Sequence, residues 1–272
     1  MNLALFDCER YHKETRELLN WFEIENAQAD FNGLNRILQA FQSIPYENVS
    51  KLIRYRKWRG DEQAMIRLPD TIWQEFCENH LGGTCWSLTF FLETILTNRG
   101  FDCYPISADM KWGDNVHCGI VVIIDQEHWL CDPGYLLMTP ILLSDKMQQM
   151  FRTESSGVKL IYDGKKYRLA TFHGREVKWR YSFCDIPCRR DEFVKHWLAS
   201  FEQPTMNGIC LTRQQAQGMI YINNNYFREV TRDKIRKNRL AGNWIREIEK
   251  IFGIPEIFLE EAYSITKSKG ES

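Results

Sequence analysis

A glycine pair leading into a cysteine, Leu81-Gly82-Gly83-Thr84-Cys85-Trp86, is the segment of this sequence best suited to covalent chemistry. Apolar residues recur after it at helical spacing, as Leu88, Phe91, Leu92, Ile95 and Leu96, so Cys85 stands at the start of an amphipathic helix. Free amides and the positive end of the helix dipole at such a place lower a thiol pKa and can hold an oxyanion. A thiolate so placed is a nucleophile. The competing reading is structural: the glycines only make a tight turn, and Cys85 is a small buried apolar residue, as most free cysteines are.

Two further residues change that balance. His117 opens an alternating apolar strand, and Asp132 ends the next one, just before Pro133-Gly134. Antiparallel pairing across a turn at Asp125-Gln126-Glu127 would set His117 opposite Asp132 on one face, where a carboxylate can orient an imidazole. Cys85, His117 and Asp132 then make a thiol version of the nucleophile, base and orienter triad. His80, His128 and His173 have no comparable partners in sequence and read as structural or surface residues. Alternation turns Cys118 and Cys131 away from the face of His117 and Asp132 and into core packing. Cys184 and Cys188 are close in sequence but have no second pair to complete a zinc site, so no metal is expected. The basic stretch Arg228 to Arg239 suits phosphate contacts with a nucleotide-like cofactor, and suits a solvated face as well. Trp73, Trp112 and Trp129 read as core material, with one or two of them available to line an acceptor pocket.

The elements that must position these residues fall into three regions. From Tyr11 to about Gly100 the pattern is helical. One segment carries Leu18, Leu19 and Phe22; a second carries Leu34, Ile37, Leu38 and Phe41 and ends near Ile44-Pro45; the third runs from Cys85 to Arg99, with Gly100 as its C-terminal cap. From Phe101 to about Ile186 the period shifts toward two. Strands are expected at 116–124, 127–131, 158–161, 167–172 and 177–183, with hairpin turns at Asp163-Gly164 and His173-Gly174. Beyond Asp191, helices at 193–201 and 242–252 flank a hairpin around Asn223 to Asn225.

Composition narrows the class of protein. The chain has 272 residues, 44% of them hydrophobic, and 35 basic against 36 acidic side chains leave a formal net charge of -1. That balance speaks against a nucleic-acid-binding protein, and no apolar run approaches a membrane span. The nine cysteines lack the dense framework of small secreted domains. The expectation is a cytoplasmic globular protein with reduced thiols.

Gly82-Gly83-Thr84-Cys85, His117 with its apolar strand, and Cys131-Asp132-Pro133-Gly134-Tyr135 resemble the arylamine N-acetyltransferases and, more broadly, the transglutaminase-like cysteine superfamily. Ile44-Pro45-Tyr46-Glu47-Asn48-Val49-Ser50 is similar to the Ile-Pro-Phe-Glu-Asn-Leu segment that sets those acetyltransferases apart within the superfamily. Gly208 to Thr212, the C-terminal hairpin and Trp244 to Ile254 follow the same layout, so the resemblance spans nearly the whole chain. It implies an α+β fold with a cysteine-proteinase-like core: an N-terminal helical bundle over 1–100 carrying Cys85, a central antiparallel β-barrel over 101–190 carrying His117 and Asp132, and an α/β lid over 191–272. It also implies a ping-pong reaction in which Cys85 takes an acetyl group from acetyl-CoA, as cosubstrate, and passes it to a small aromatic amine or hydrazine, with no metal. Two positions depart from the family pattern, Leu81 where an arginine is usual and Ser87 where a glutamate is usual. If Glu47 ordinarily pairs with that arginine, it needs another partner here, and Arg54, Arg56 and Arg67 are available. An amide synthase using another acyl thioester, or a transglutaminase-like thiol hydrolase, would use the same triad.

Overall fold

The computed structural model describes residues 2–137, 139–146, 148–152, 157–215 and 218–270. Among the described residues, six α-helices precede the large sheet: α1 (His12–Trp21), α2 (Phe31–Phe41), α3 (Val49–Trp58), α4 (Glu62–Met65), α5 (Pro69–Asn79) and α6 (Cys85–Asn98). The Asp30 carboxylate caps α2 by accepting from Gly33 N–H at 2.7 Å, and Pro69 opens α5 where a missing N–H costs nothing. Every residue of α6 from Trp86 to Leu96 is buried, polar ones included. It is the central helix of the fold, with α1 and α5 on one side and the first two strands of the large sheet on the other.

The eight strands of that sheet are β2 (Asp102–Met110), β3 (Gly113–Ile124), β4 (Glu127–Cys131), β5 (Ile141–Leu143), β6 (Gln148–Arg152), β7 (Gly157–Tyr162), β8 (Tyr167–His173) and β9 (Glu176–Phe183), after the two-residue β1 (Tyr46–Glu47). They pair antiparallel in the order β5-β4-β3-β2-β9-β8-β7-β6 and curl into a nearly closed barrel. All five expected strands are present, and β2, β5 and β6 are additional. Strand β2 escapes a reading by pattern because Pro105 interrupts it. Pro105 is tolerated because β9 reaches only Ala108 to Met110, and the Pro105 carbonyl instead accepts from Cys188 N–H at 2.8 Å.

After α7 (Arg190–Ala199), a second antiparallel sheet forms from β10 (Cys210–Gln215), β11 (Gly218–Asn223), β12 (Tyr226–Thr231) and β13 (Ile235–Arg239), and the chain closes with α8 (Trp244–Phe252) and α9 (Glu256–Gly270). The basic stretch Arg228 to Arg239 forms most of the β12–β13 hairpin, and its basic residues from Arg232 onward are exposed. Strand β1, from the helical part of the chain, completes the sheet by pairing with β10 through Tyr46↔Thr212 and Glu47↔Leu211. The next residue reinforces this junction: Asn48 Nδ2 donates to the Thr205 and Gly208 carbonyls at 2.8 and 2.7 Å, and its Oδ1 accepts from Cys210 N–H at 2.7 Å.

The β3–β4 register corrects the expected one. Ile124 pairs with Glu127 and Ile120 with Cys131, so the turn has only two residues, Asp125 and Gln126. Both have positive φ, 52° and 66°, as a type I′ turn demands. The slip relative to the expected register is two positions, which keeps every side chain on its face. His117 and Asp132 thus become diagonal neighbours on one face instead of direct partners. Left-handed backbone is strained for a side chain with a Cβ. Gln126→Gly is expected to raise stability by about 1 kcal/mol, measured by urea unfolding, with the β3–β4 register unchanged.

Candidate active site

The loop before Cys85 has no room for side chains. A Cβ on Gly82 would lie 1.7 Å from the Pro45 carbonyl oxygen, and one on Gly83 would lie 2.3 Å from Ser87 Oγ. This close approach lets Gly83 N–H donate to the Pro45 carbonyl at 3.2 Å while its own carbonyl accepts from Glu47 N–H at 2.9 Å. Thr84 takes extended backbone as the N-cap of α6, and its N–H donates to Ser87 Oγ at 3.0 Å. Ser87 thus supplies the reciprocal arm of a capping box. Cys85 follows as the first helical residue, where amides lack intrahelical partners.

Behind the loop lies Glu47, with no exposed surface, and its cation is Arg67. Arg67 Nη1 donates to Glu47 Oε1 at 3.3 Å, to Ser50 Oγ at 2.6 Å and to the Gly82 carbonyl at 2.5 Å, while Nη2 stands 2.6 Å from Glu75 Oε2. Burial raises the Glu47 pKa, against the lowering by Arg67 and Ser50. Of the other two arginines available in sequence, Arg54 donates to the Ala64 carbonyl at 2.6 Å and Arg56 is exposed. Leu81 is buried in the apolar cluster around Trp86 and Phe90. The guanidinium comes from the segment before α5, and this leaves position 81 free to be apolar.

His117 on β3 is buried, and its Nε2 lies 2.8 Å from Asp132 Oδ2. The other Asp132 oxygen accepts from Tyr135 N–H at 2.9 Å. Tyr135 and Tyr181 pack against the imidazole with centroids at 5.1 and 4.7 Å. Gly134 presses on the site, since a Cβ there would lie 2.8 Å from Cys85 Cβ and 2.9 Å from His117 Cε1. With Nε2 turned to Asp132, the other ring nitrogen is the one left for Cys85. Burial works against the imidazolium, but the Asp132 charge and hydrogen bond, together with Cys85, push its pKa up to about 10. The Cys85 thiol is held well below its ordinary value, first by a hydrogen bond from Cys118 and then, against burial, by the hydrogen bond and charge of His117 and the charge of Lys51. Cys118 was expected only to pack in the core. It does so, with Sγ 3.3 Å from Thr89 Oγ1 of α6, but α6 also carries Cys85 into its reach.

Cys85 and His117 open on a cavity of about 590 Å³. One part of its wall comes from Tyr46, Lys51, Ser200, Cys210 and Tyr221; another from Arg152, Lys178, Arg180, Arg228 and Lys237, with His173 and Glu176 among them. Arg228 and Lys237 are direct cross-strand partners, a like-charged pair that is unfavourable without an anion between them. Arg228 Nε is buried and has no hydrogen-bond partner among the described residues. Glu176 eases this repulsion only in part, because it also pairs with Lys178 at 3.0 Å. Trp112 borders the cavity, whereas Trp73 is buried in the bundle. His173 belongs to the wall through its contact with the Thr231 carbonyl at 3.2 Å. His128 lies elsewhere, bound to Asp185 at 2.6 Å, and His80 caps α5 with φ of 55°.

A family model described as N-acetyltransferase matches residues 30–255. The chain belongs to the arylamine N-acetyltransferase family. Its fold agrees with that of the arylamine N-acetyltransferase from Mycobacterium abscessus, with a TM-score of 0.77 and 17% identity over 91% of this chain and 93% of the other. The enzyme from Salmonella typhimurium gives 0.75 at 17% identity over 94% and 98%, and that from Mycobacterium marinum, in complex with CoA, gives 0.75 at 15% identity over 92% and 97%. No curated protein matches the sequence. This N-acetyltransferase has, among its described residues, no group of His, Cys, Asp or Glu side chains placed to hold a metal ion, and no helix long and apolar enough to cross a membrane.

The three residues singled out in the sequence of this N-acetyltransferase come together. Arg67, Cys118 and Lys51 were not singled out as site residues, because each reaches the site from an element whose packing no local pattern reveals. A signal for Lys51 does exist: it shares the buried face of α3 with Leu52 and Tyr55, where a lysine is out of place. Two outcomes are expected from this geometry. Arg67→Met, which strips the cation from fully buried Glu47, should cost about 3 kcal/mol of stability in urea unfolding. The alkylation rate of Cys85 by iodoacetamide should stay nearly flat from pH 7 to pH 9, because His117 is held protonated toward pH 10 and the Cys85 thiol is held well below its ordinary value; an ordinary cysteine gains roughly twentyfold over that range.

Proposed function

We propose that this N-acetyltransferase carries the acetyl group of acetyl-CoA to the nitrogen of a small aromatic amine or hydrazine through a thioester on Cys85, in a ping-pong reaction served by a Cys85, His117 and Asp132 triad. The observation that carries the reading is the 2.8 Å contact of His117 Nε2 with buried Asp132, beside a cysteine at the first turn of α6. The thiolate attacks the thioester carbonyl, and the oxyanion forms near the free amides at the start of α6. Collapse breaks the carbon–sulfur bond to CoA, and the departing thiolate takes the proton of the His117 imidazolium. In the second half the acceptor nitrogen attacks the Cys85 thioester and gives its proton to neutral His117, which restores the ion pair. Asp132 holds the imidazole in the orientation both halves need.

The M. marinum neighbour is described with CoA bound. In this chain the phosphates of CoA would meet Arg228 and Lys237, with Lys178 and Arg152 on the facing barrel strands, where an anion would relieve the like-charged pair and satisfy Arg228 Nε. The test is incubation with acetyl-CoA and no acceptor, read by intact-protein and peptide mass spectrometry. A single acetyl group on Cys85, absent from Cys85→Ser and discharged by aniline or a hydrazine, is expected. Asp132→Asn should slow transfer by about 10⁴. A Cys85 that reacts with iodoacetamide but stays unacetylated would overturn acetyl-CoA as donor in favour of another acyl thioester or a peptide amide.

A further inference from the structure

Lys51 is 7% exposed, on the buried side of α3 with Leu52 and Tyr55. Its Nζ donates to the Ser200 carbonyl at 2.9 Å and to Ser200 Oγ at 2.6 Å and lies 4.7 Å from the centre of the Phe201 ring. These are dipoles, not charges, and among the described residues no carboxylate stands within ion-pair distance of it. A buried ammonium without a counter-charge is costly. The anionic groups nearby are all otherwise engaged: Glu47 with Arg67 and Ser50, and Asp132 with His117 and the Tyr135 amide. Burial pushes the Cys210 thiol on that wall up to about 11 and keeps it neutral, which leaves, among the described residues of the wall, the sulfur of Cys85.

We propose that the Lys51 ammonium is a positioning residue that acts through Cys85, as the second cation beside His117 that holds its sulfur as a thiolate. The inference rests on the triad reading above. It closes the charge balance of the buried site, in which Asp132 and Cys85 are negative and His117 and Lys51 positive. The balance survives acylation. Cys85 then loses its charge as the departing thiolate removes the proton from His117, leaving Asp132 against Lys51. Without Lys51 the site would carry a net negative charge in both states, which opposes thiolate formation.

The groups that act on this pair are few. Lys51 faces Cys85 from α6 and Cys118 from β3; burial lowers its pKa to about 8, and the two sulfurs oppose that shift. Cys85 faces Cys118 and His117 from β3 and Lys51 from α3, while Tyr46 on β1 and Tyr135 after β4 are held neutral by burial.

The experiment is the pH dependence of Cys85 alkylation by iodoacetamide in the full chain, followed by peptide mass spectrometry, with melting temperature recorded for each variant. Lys51→Met should move the midpoint of the profile up by at least one pH unit, so that alkylation on the acid side slows about tenfold, and Lys51→Arg should restore the wild-type midpoint. Superimposed wild-type and Lys51→Met profiles would overturn the proposal, and so would an equal shift in Lys51→Arg, since that variant keeps the charge and changes only the shape. Alkylation needs no acyl donor, so the outcome stands apart from the acetyl-CoA test: absent acetylation with a shifted profile would condemn the donor and keep Lys51, and acetylation with an unshifted profile would do the reverse.

Discussion

The position of Cys85 depends on one buried cation. Arg67 binds the Gly82 carbonyl, Ser50 and Glu47 with a single nitrogen and Glu75 with another, so it clamps the glycine loop, the start of α3 and the end of α5 to each other. Glu47 in turn lies in β1, whose backbone holds Gly83 on one side and β10 on the other. Three stretches of chain that are remote in sequence therefore meet behind Cys85, and the fully buried carboxylate makes that meeting obligatory, since among the described residues Arg67 is the one cation paired with Glu47. Glycine at 82 and 83 follows from the same constraint, because the loop runs too close to Pro45 and Ser87 for any Cβ.

In front of the loop, the chemistry of the site is a matter of charge kept out of water. Asp132 is satisfied by the His117 ring and by the Tyr135 amide, and this lets His117 stay protonated against its own burial. The tyrosine rings on the imidazole exclude solvent and keep these interactions strong. Helix α6 adds its free amides at the sulfur, and because it is buried along its length it cannot shift without disrupting the apolar clusters on both sides.

The cavity joins surfaces with different tasks. The wall nearest the N-terminal helices is compact and carries one buried cation, whereas the wall shared by the barrel and the β12–β13 hairpin is basic, with a repulsive cross-strand pair that an anion would stabilise. Barrel and hairpin meet in the contact of His173 with the Thr231 carbonyl. This basic wall is thus built only when the two sheets are docked.

Much of this was legible in the chain alone, for a physical reason. Helix starts, strand alternation and tight turns are set by residues within a few positions of one another, so the helical start at Cys85, strand β4 and the common face of His117 and Asp132 follow from local rules. The two-residue register slip shows the limit: alternation determines the face, but the turn determines the offset, and Asp125-Gln126 adopts left-handed backbone that its residue types only weakly signal. Strand β2 was hidden because Pro105 is forbidden only where a neighbour needs its N–H, and whether β9 extends that far is a tertiary fact. The same holds for the partner of Glu47, the proximity of Cys118 to Cys85, the buried Lys51 and the basic wall of the cavity. Each depends on distances between elements far apart in the chain, and those distances are decided by how the three apolar clusters pack and not by any local pattern of residues.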